Sequence, residues 1–311
     1  MAIPLSSLFP WARSPLIISA PMRIMSSPAL AVSVSRSGGL GFLGPGAKTQ
    51  DMLKDLEEAE LLLQKEPALA LANAIKGSSA SSTPPVLPIG TGFQLWNDNL
   101  EIAASAIQRF RPCAAWLFAP RDGQRDIDTW SRRLRASSPS TQIWVQIGTV
   151  SEARGLISPH AEQPDVIVVQ GAEAGGHGRA TDGAGLMTLV PEICDLLAEK
   201  KVQIPLVAAG GIVDGRGALA SLCLGASGIA MGTRFLASTE ARIARGYQNE
   251  IVRASDGGVS TTRTLLYNHL RGTYGWPEGY SPRTIINRSY VEHFEGRSFE
   301  ELKVLHDEEV C

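Results

Sequence analysis

Val166-Ile167-Val168-Val169-Gln170-Gly171-Ala172-Glu173-Ala174-Gly175-Gly176-His177-Gly178 reads as a strand that runs into a glycine loop. Four β-branched apolar residues in a row fit a strand buried on both faces, and the run stops at Gln170. Glycine has no Cβ and tolerates positive φ, so the loop that follows can lie flat against a flat ligand. The imidazole of His177, at the mouth of that buried strand, can take a proton near neutral pH.

The same unit, a short apolar strand with a small or polar exit and then a helical stretch, recurs on both sides. Upstream, strands are predicted at Leu16–Ala20, Leu40–Leu43, Val86–Gly92, Ala114–Phe118 and Ile143–Ile147, and downstream at Pro205–Ala209 and Gly228–Met231. Helical patterns fall between them: Pro28 to Ser37, Thr49 to Lys65, Leu100 to Phe110, Gln124 to Arg135, Leu186 to Lys200 and Gly215 to Leu224. Asn97-Asp98 reads as the cap of the third of these, and Asp214 as the cap of the last. No hairpin turn chemistry separates the strands, so they pair in parallel through right-handed crossovers. Eight such units predict a (β/α)8 TIM barrel. The runner-up, an open doubly wound sheet, lacks both a Gly-x-Gly-x-x-Gly after its first strand and a Walker motif.

Residues 1–238 are therefore read as the barrel core. The polar register and the Gly, Tyr and Trp cluster of 239–290 read as a C-terminal cap or extension on the substrate side. Residues 291–311 read as a helical tail packing on the barrel. The Ser/Thr/Pro-rich stretch Asn73–Pro85 is the best candidate for a mobile excursion.

Composition sets the outer bounds. The 311 residues are 44% hydrophobic and 19% charged, with a formal net charge of −2. That balance fits a soluble globular chain with a sizeable core and gives no reason to expect nucleic acid or an anionic membrane as partner. No run of about 18 apolar residues predicts a membrane span, and no secretory leader is evident, which makes a cytoplasmic location the expectation. Four scattered Cys (113, 194, 223, 311) show no metal-ligand spacing. Three sit in apolar surroundings, read as buried free thiols, with Cys113 in the core rather than a nucleophile.

In a barrel all strand tips face one side, and here they carry small or polar groups: Ala20-Pro21-Met22, Thr91, Gln146, Gln170 with the His177 loop, Gly210-Gly211 and Met231-Gly232-Thr233. The loops after strands seven and eight are the usual phosphate site of such barrels. Glycine amides at Gly210, Gly211 and Gly232 can point N–H groups at a phosphate, and the Thr233 hydroxyl adds a donor. Gln146 and Gln170 suit a heterocycle that has both donors and acceptors, and Gly175 and Gly176 leave room for its plane. A phosphate grip beside a flat heterocycle suggests flavin mononucleotide, although spacing alone does not name it.

These motifs resemble the nitronate monooxygenase family, formerly called 2-nitropropane dioxygenases. The resemblance rests on Ala20-Pro21-Met22, the Gln170-to-His177 string, Ala209-Gly210-Gly211-Ile212 and Met231-Gly232-Thr233-Arg234-Phe235. Arg271-Gly-Thr-Tyr-Gly-Trp-Pro277 looks like the C-terminal part of fungal members. The resemblance implies an FMN-containing barrel that oxidises alkyl nitronates or nitroalkanes with O2. It also implies that His177 is the catalytic base near the flavin. Many bacterial members carry an Asn-x-Phe motif at the end of strand three, where this chain has Gly90-Thr91-Gly92-Phe93, which leaves contacts there to the backbone and Thr91.

The other candidates have plainer readings. Glu173 is expected to accept loop amides and hold His177 in place, and Tyr267, Tyr274 and Trp276 to pack the cap against the barrel rather than line an entrance. His160, His269, His293 and His306 read as surface or cap residues. The alternatives to a nitronate monooxygenase are an enoyl-reductase-like FMN enzyme, which would share the Glu-Ala-Gly-Gly-His string, and a biosynthetic oxidoreductase or isomerase acting on a non-nitro carbon acid.

Overall fold

A computed structural model describes residues 5–65 and 86–310. The predicted excursion at 73–85 and Cys311 lie outside the described residues. Eight parallel strands close into a barrel: β1 (Leu16–Ser19), β2 (Leu40–Leu43), β3 (Leu87–Gln94), β4 (Pro112–Phe118), β5 (Gln142–Ile147), β6 (Val166–Gln170), β8 (Leu206–Ala209) and β9 (Gly228–Met231). Closure is made by β1 against β9, with Leu16 opposite Gly228 and Ser19 opposite Met231. The eight-unit barrel expected from the sequence is the fold observed. Pro88, which has no N–H to give a ladder, sits where the β3–β4 register shifts between Leu87 and Gly90.

The barrel interior is packed with rings. Phe42 lies 5.2 Å from both Trp116 and Trp144, and Phe9 closes on Trp144 at 6.2 Å with Trp11 behind it. Such aromatic pairs contribute about 0.5–1.5 kcal/mol each beyond the area they bury. The Trp116 indole N–H, which would otherwise be orphaned in this core, donates to Gln146 Oε1 at 2.8 Å.

Two findings depart from the sequence reading at the level of the fold. First, the cap of the helix Leu100–Phe110 is Asn99, whose side chain accepts from the amides of Glu101 and Ile102. Asp98 instead accepts from Thr49 Oγ1 and the Gln94 amide, tying the helix entrance to the strand before it. Second, of the cysteines read as buried, Cys113 is in the core, where burial pushes its thiol pKa up, but Cys194 is half-buried and Cys223 exposed. The tail helix Phe299–Val310 buries Leu302 with Leu266 and Leu270.

A second, antiparallel sheet sits over the mouth. It is built from β10 (Thr261–Arg263), β11 (Tyr280–Ile285) and β7 (Gly176–Arg179), in the order β10–β11–β7. The stretch read as the far end of a loop is thus a strand, with His177 opposite Pro282 and Gly178 opposite Ser281. Among the described residues no helix is long and apolar enough to cross a membrane, and no group of His, Cys, Asp and Glu could hold a metal ion.

Candidate active site

The strand exits converge as the barrel requires. The Ser26 hydroxyl donates to the Ala20 carbonyl and accepts from the Met22 amide, both at 2.9 Å, which fixes the Ala20-Pro21-Met22 tip. Gly232 sits next to that tip, and a Cβ on it would lie 3.5 Å from Met22 Sδ. A Cβ on Gly175 would lie 2.8 Å from Thr233 Oγ1, so the loop after β6 meets the loop after β9. Gly210 and Gly211 have φ of +122° and +66°, which L side chains rarely adopt, and they lie against Ala174 and Glu173. The three glycine loops form one rim.

Not every expected residue faces that rim. Thr91 is fully buried and its hydroxyl donates to Met52 Sδ at 3.2 Å, toward the outer helix Asp51–Lys65. Only the backbone of Thr91 is left for a ligand at the mouth. Gly90 and Gly92, its neighbours, are the positions that face inward, toward Phe42 and Pro21. Gln146 accepts from the Trp116 indole on its amide oxygen, and Gln170 Nε2 donates to the His177 carbonyl at 3.1 Å.

His177 is held from two sides by cap residues. Asn268 Nδ2 lies 2.8 Å from His177 Nε2, and the Trp276 ring stacks on the imidazole with centroids 3.6 Å apart and planes 7° from parallel. Burial pushes the His177 pKa down to about 3, and the guanidinium groups of Arg271, Arg23 and Arg263 push in the same direction. The Asn268 hydrogen bond acts the other way. The imidazole is therefore neutral at physiological pH, with a lone pair to offer.

Two arginines that the sequence did not single out build the surroundings. Arg263 donates to the carbonyls of Ala172 and Ala174 at 3.2 Å and of Ser281 at 2.6 Å, clamping the loop before His177 to the cap. Arg179, on the same face of β7 as His177, pairs with Asp182 and Glu152, and its guanidinium lies over the Tyr280 ring. Gly148, Gly183 and Gly279 line its path, and a Cβ on any of them would meet its side chain. Glu173 does accept amide hydrogen bonds, but from Leu186, so it anchors the loop to the start of the helix Leu186–Glu199.

Of the three cap aromatics, Trp276 is at the site, while Tyr274 stacks on His269 and Tyr267 accepts from the Asn287 amide. Trp96, 4.9 Å from Trp276, has a buried indole N–H with no acceptor among the described residues. Beside these rings a cavity of about 590 Å³ opens, lined by Pro120, Arg121, Glu152, Arg179, Trp276 and Tyr280 among others.

A closed parallel barrel with a glycine rim, a neutral imidazole and a cationic surround has the architecture of a (β/α)8 enzyme. The nitronate monooxygenase family model matches residues 132–273. The nitronate monooxygenase npaC of Metarhizium robertsii is 57% identical over 98% of this chain and 82% of its own length. A nitronate monooxygenase of Neurospora crassa is 33% identical over 96% of this chain and 80% of its own. Among solved structures, the nitroalkane oxidase of Streptomyces ansochromogenes shares the fold, with a TM-score of 0.65 at 24% identity over 98% of this chain and 85% of that one. The chain belongs to the nitronate monooxygenase family, as a fungal-type member.

Proposed function

We propose that the protein is an FMN-dependent monooxygenase that oxidises alkyl nitronates with O2, and nitroalkanes once His177 has removed the α-proton. The observation that carries this reading is the neutral imidazole beside the glycine rim, in the field of Arg23, Arg263 and Arg271. Deprotonating a nitroalkane breaks a C–H bond, forms an N–H bond on the imidazole and moves the electron pair into an anionic nitronate. The same guanidinium field that opposes an imidazolium favours that anion, so the two effects offset each other during the transfer. A substrate that arrives already anionic gains the attraction alone.

The rim fits FMN. Gly210, Gly211, Gly232 and Thr233 would hold the phosphate. Ala20, Pro21, Met22, Gln146, Gln170, Gly175, Gly176 and Met231 would border the ring system. The gap between Gly175 and Thr233 exists because position 175 has no side chain. Bound FMN would supply the redox capacity that no side chain has.

A visible spectrum of the purified protein and oxygen consumption with paired substrates test the reading. His177→Asn should lower nitroalkane turnover by at least a hundredfold and leave preformed nitronate within about tenfold of the parent. Equal loss on both substrates would remove the base role. Absence of flavin bands with no uptake of added FMN would overturn the proposal as a whole.

A further inference from the structure

Asn268 is buried in the cap helix Leu266–Leu270, yet its side chain is spent on a residue of the barrel segment 91 positions away. With Trp276 on one face of the imidazole and Asn268 at its Nε2 edge, two cap residues fix the orientation of the ring. We propose that Asn268 is the positioning residue for His177: with its amide turned to present Oδ1 it accepts from Nε2–H, which leaves the Nδ1 lone pair open to take the substrate's proton. The inference rests on the reading of His177 as the base.

The chemistry follows from what a carboxamide offers. A neutral imidazole has one donor and one acceptor nitrogen, and an imidazolium has two donors. While Nδ2 faces Nε2, the amide donates, the ring proton stays on Nδ1 and the one lone pair is already engaged. With the amide turned so that Oδ1 accepts from Nε2–H, Nδ1 carries the lone pair, and once it takes the substrate's proton both ring nitrogens are donors while Oδ1 still holds Nε2–H. Asparagine can do both by rotation about one bond, and a hydrocarbon of the same size can do neither. The charged groups bearing on the ring are Arg23 from the first strand exit, Arg263 from β10 and Arg271 after the cap helix, and all three oppose its protonation. Asn268 is the group that acts for it.

The test compares nitroethane with preformed ethylnitronate across pH, and reads ring-¹⁵N histidine shifts in the holoenzyme. Asn268→Leu should cut kcat/KM for nitroethane on the order of tenfold to a hundredfold and leave ethylnitronate within about threefold. It should also turn the single-tautomer His177 signal, assigned by its loss in His177→Asn, into an averaged one. Asn268→Asp should recover part of the nitroethane rate, with the acid limb of its profile moved to higher pH, because a carboxylate holds the imidazolium. Wild-type nitroethane rates in Asn268→Leu, or equal loss on both substrates with unchanged ring shifts, would overturn the proposal. If Asn268→Leu does not fold, an unmoved acid limb in Asn268→Asp overturns it instead. Nitroethane turnover that survives His177→Asn would sink the base reading. Turnover that is lost in His177→Asn but kept in Asn268→Leu would sink only the role of Asn268.

Discussion

The barrel interior and the barrel mouth both depend on glycine, for opposite reasons. Inside, a Cβ on Gly90 would fall 2.2 Å from a ring carbon of Phe42, because the chain itself fills the space the glycine leaves. At the mouth, a Cβ on Gly176 would meet nothing within 4 Å, and one on Gly175 would meet only the Thr233 hydroxyl. An interior glycine is a packing residue, complementary to its own protein. Gly175 and Gly176 border a space that their own protein leaves largely open, which is what a ligand site requires.

Substitution at the two places should separate these roles. In Gly90→Val the new side chain collides with a ring already held between Trp116 and Trp144, both of them buried. Overpacking of this kind costs about 1–3 kcal/mol and sometimes more, and the rigidity of the ring cluster puts this case at or above the upper end. Chemical denaturation should show that loss, or the protein should fail to accumulate. Gly175→Leu should leave the unfolding free energy within about 1 kcal/mol of the parent, since surface positions tolerate change. Its FMN affinity should fall on the order of a hundredfold, about 2.7 kcal/mol. If Gly175→Leu destabilised the fold as much as Gly90→Val, position 175 would be a packing residue and the contrast would collapse.

The same contrast explains what could be read before the fold was known. The eight barrel strands were legible because each is a short apolar run with a turn on either side, and Asp214 was legible as a cap because its amide partners, Arg216 and Gly217, are two and three residues away. The turn of the Thr91 hydroxyl toward Met52 is not legible, since a strand's composition does not say which face a residue takes and a shift of one residue exchanges them. The surroundings of His177 were the least legible part. Gly176–Arg179 has no strand propensity of its own, and becomes β7 only because β11, about a hundred residues later, lies beside it. Asn268, Arg263 and Trp276 act on the site across similar separations, and in sequence an asparagine, an arginine and a tryptophan in a polar cap carry no mark of their target. A buried arginine that gathers loop carbonyls differs from a surface one only in three dimensions.

Acidification offers a smaller but sharper way to tell mouth from interior. The His177 pKa is about 3 in the folded chain and about 6.5 in an unfolded one. Between those values the unfolded chain binds a proton that the folded chain refuses, so acidification favours unfolding. The term is absent above pH 6.5 and grows as pH falls toward 3, with a slope of up to about 1.4 kcal/mol per pH unit. His177→Gln, which cannot take that proton, should therefore lose about 1–2 kcal/mol less stability than the parent on going from pH 6.5 to pH 5. Ile167→Val, a fully buried deletion of one methyl group in β6, should cost about 1 kcal/mol by the same amount at both pH values. Parallel stability curves for the parent and His177→Gln would mean that the imidazole is already hydrated and protonatable in the folded state. Trp276 and the three arginines would then not isolate it from water, and the mouth would differ from the interior in shape but not in polarity.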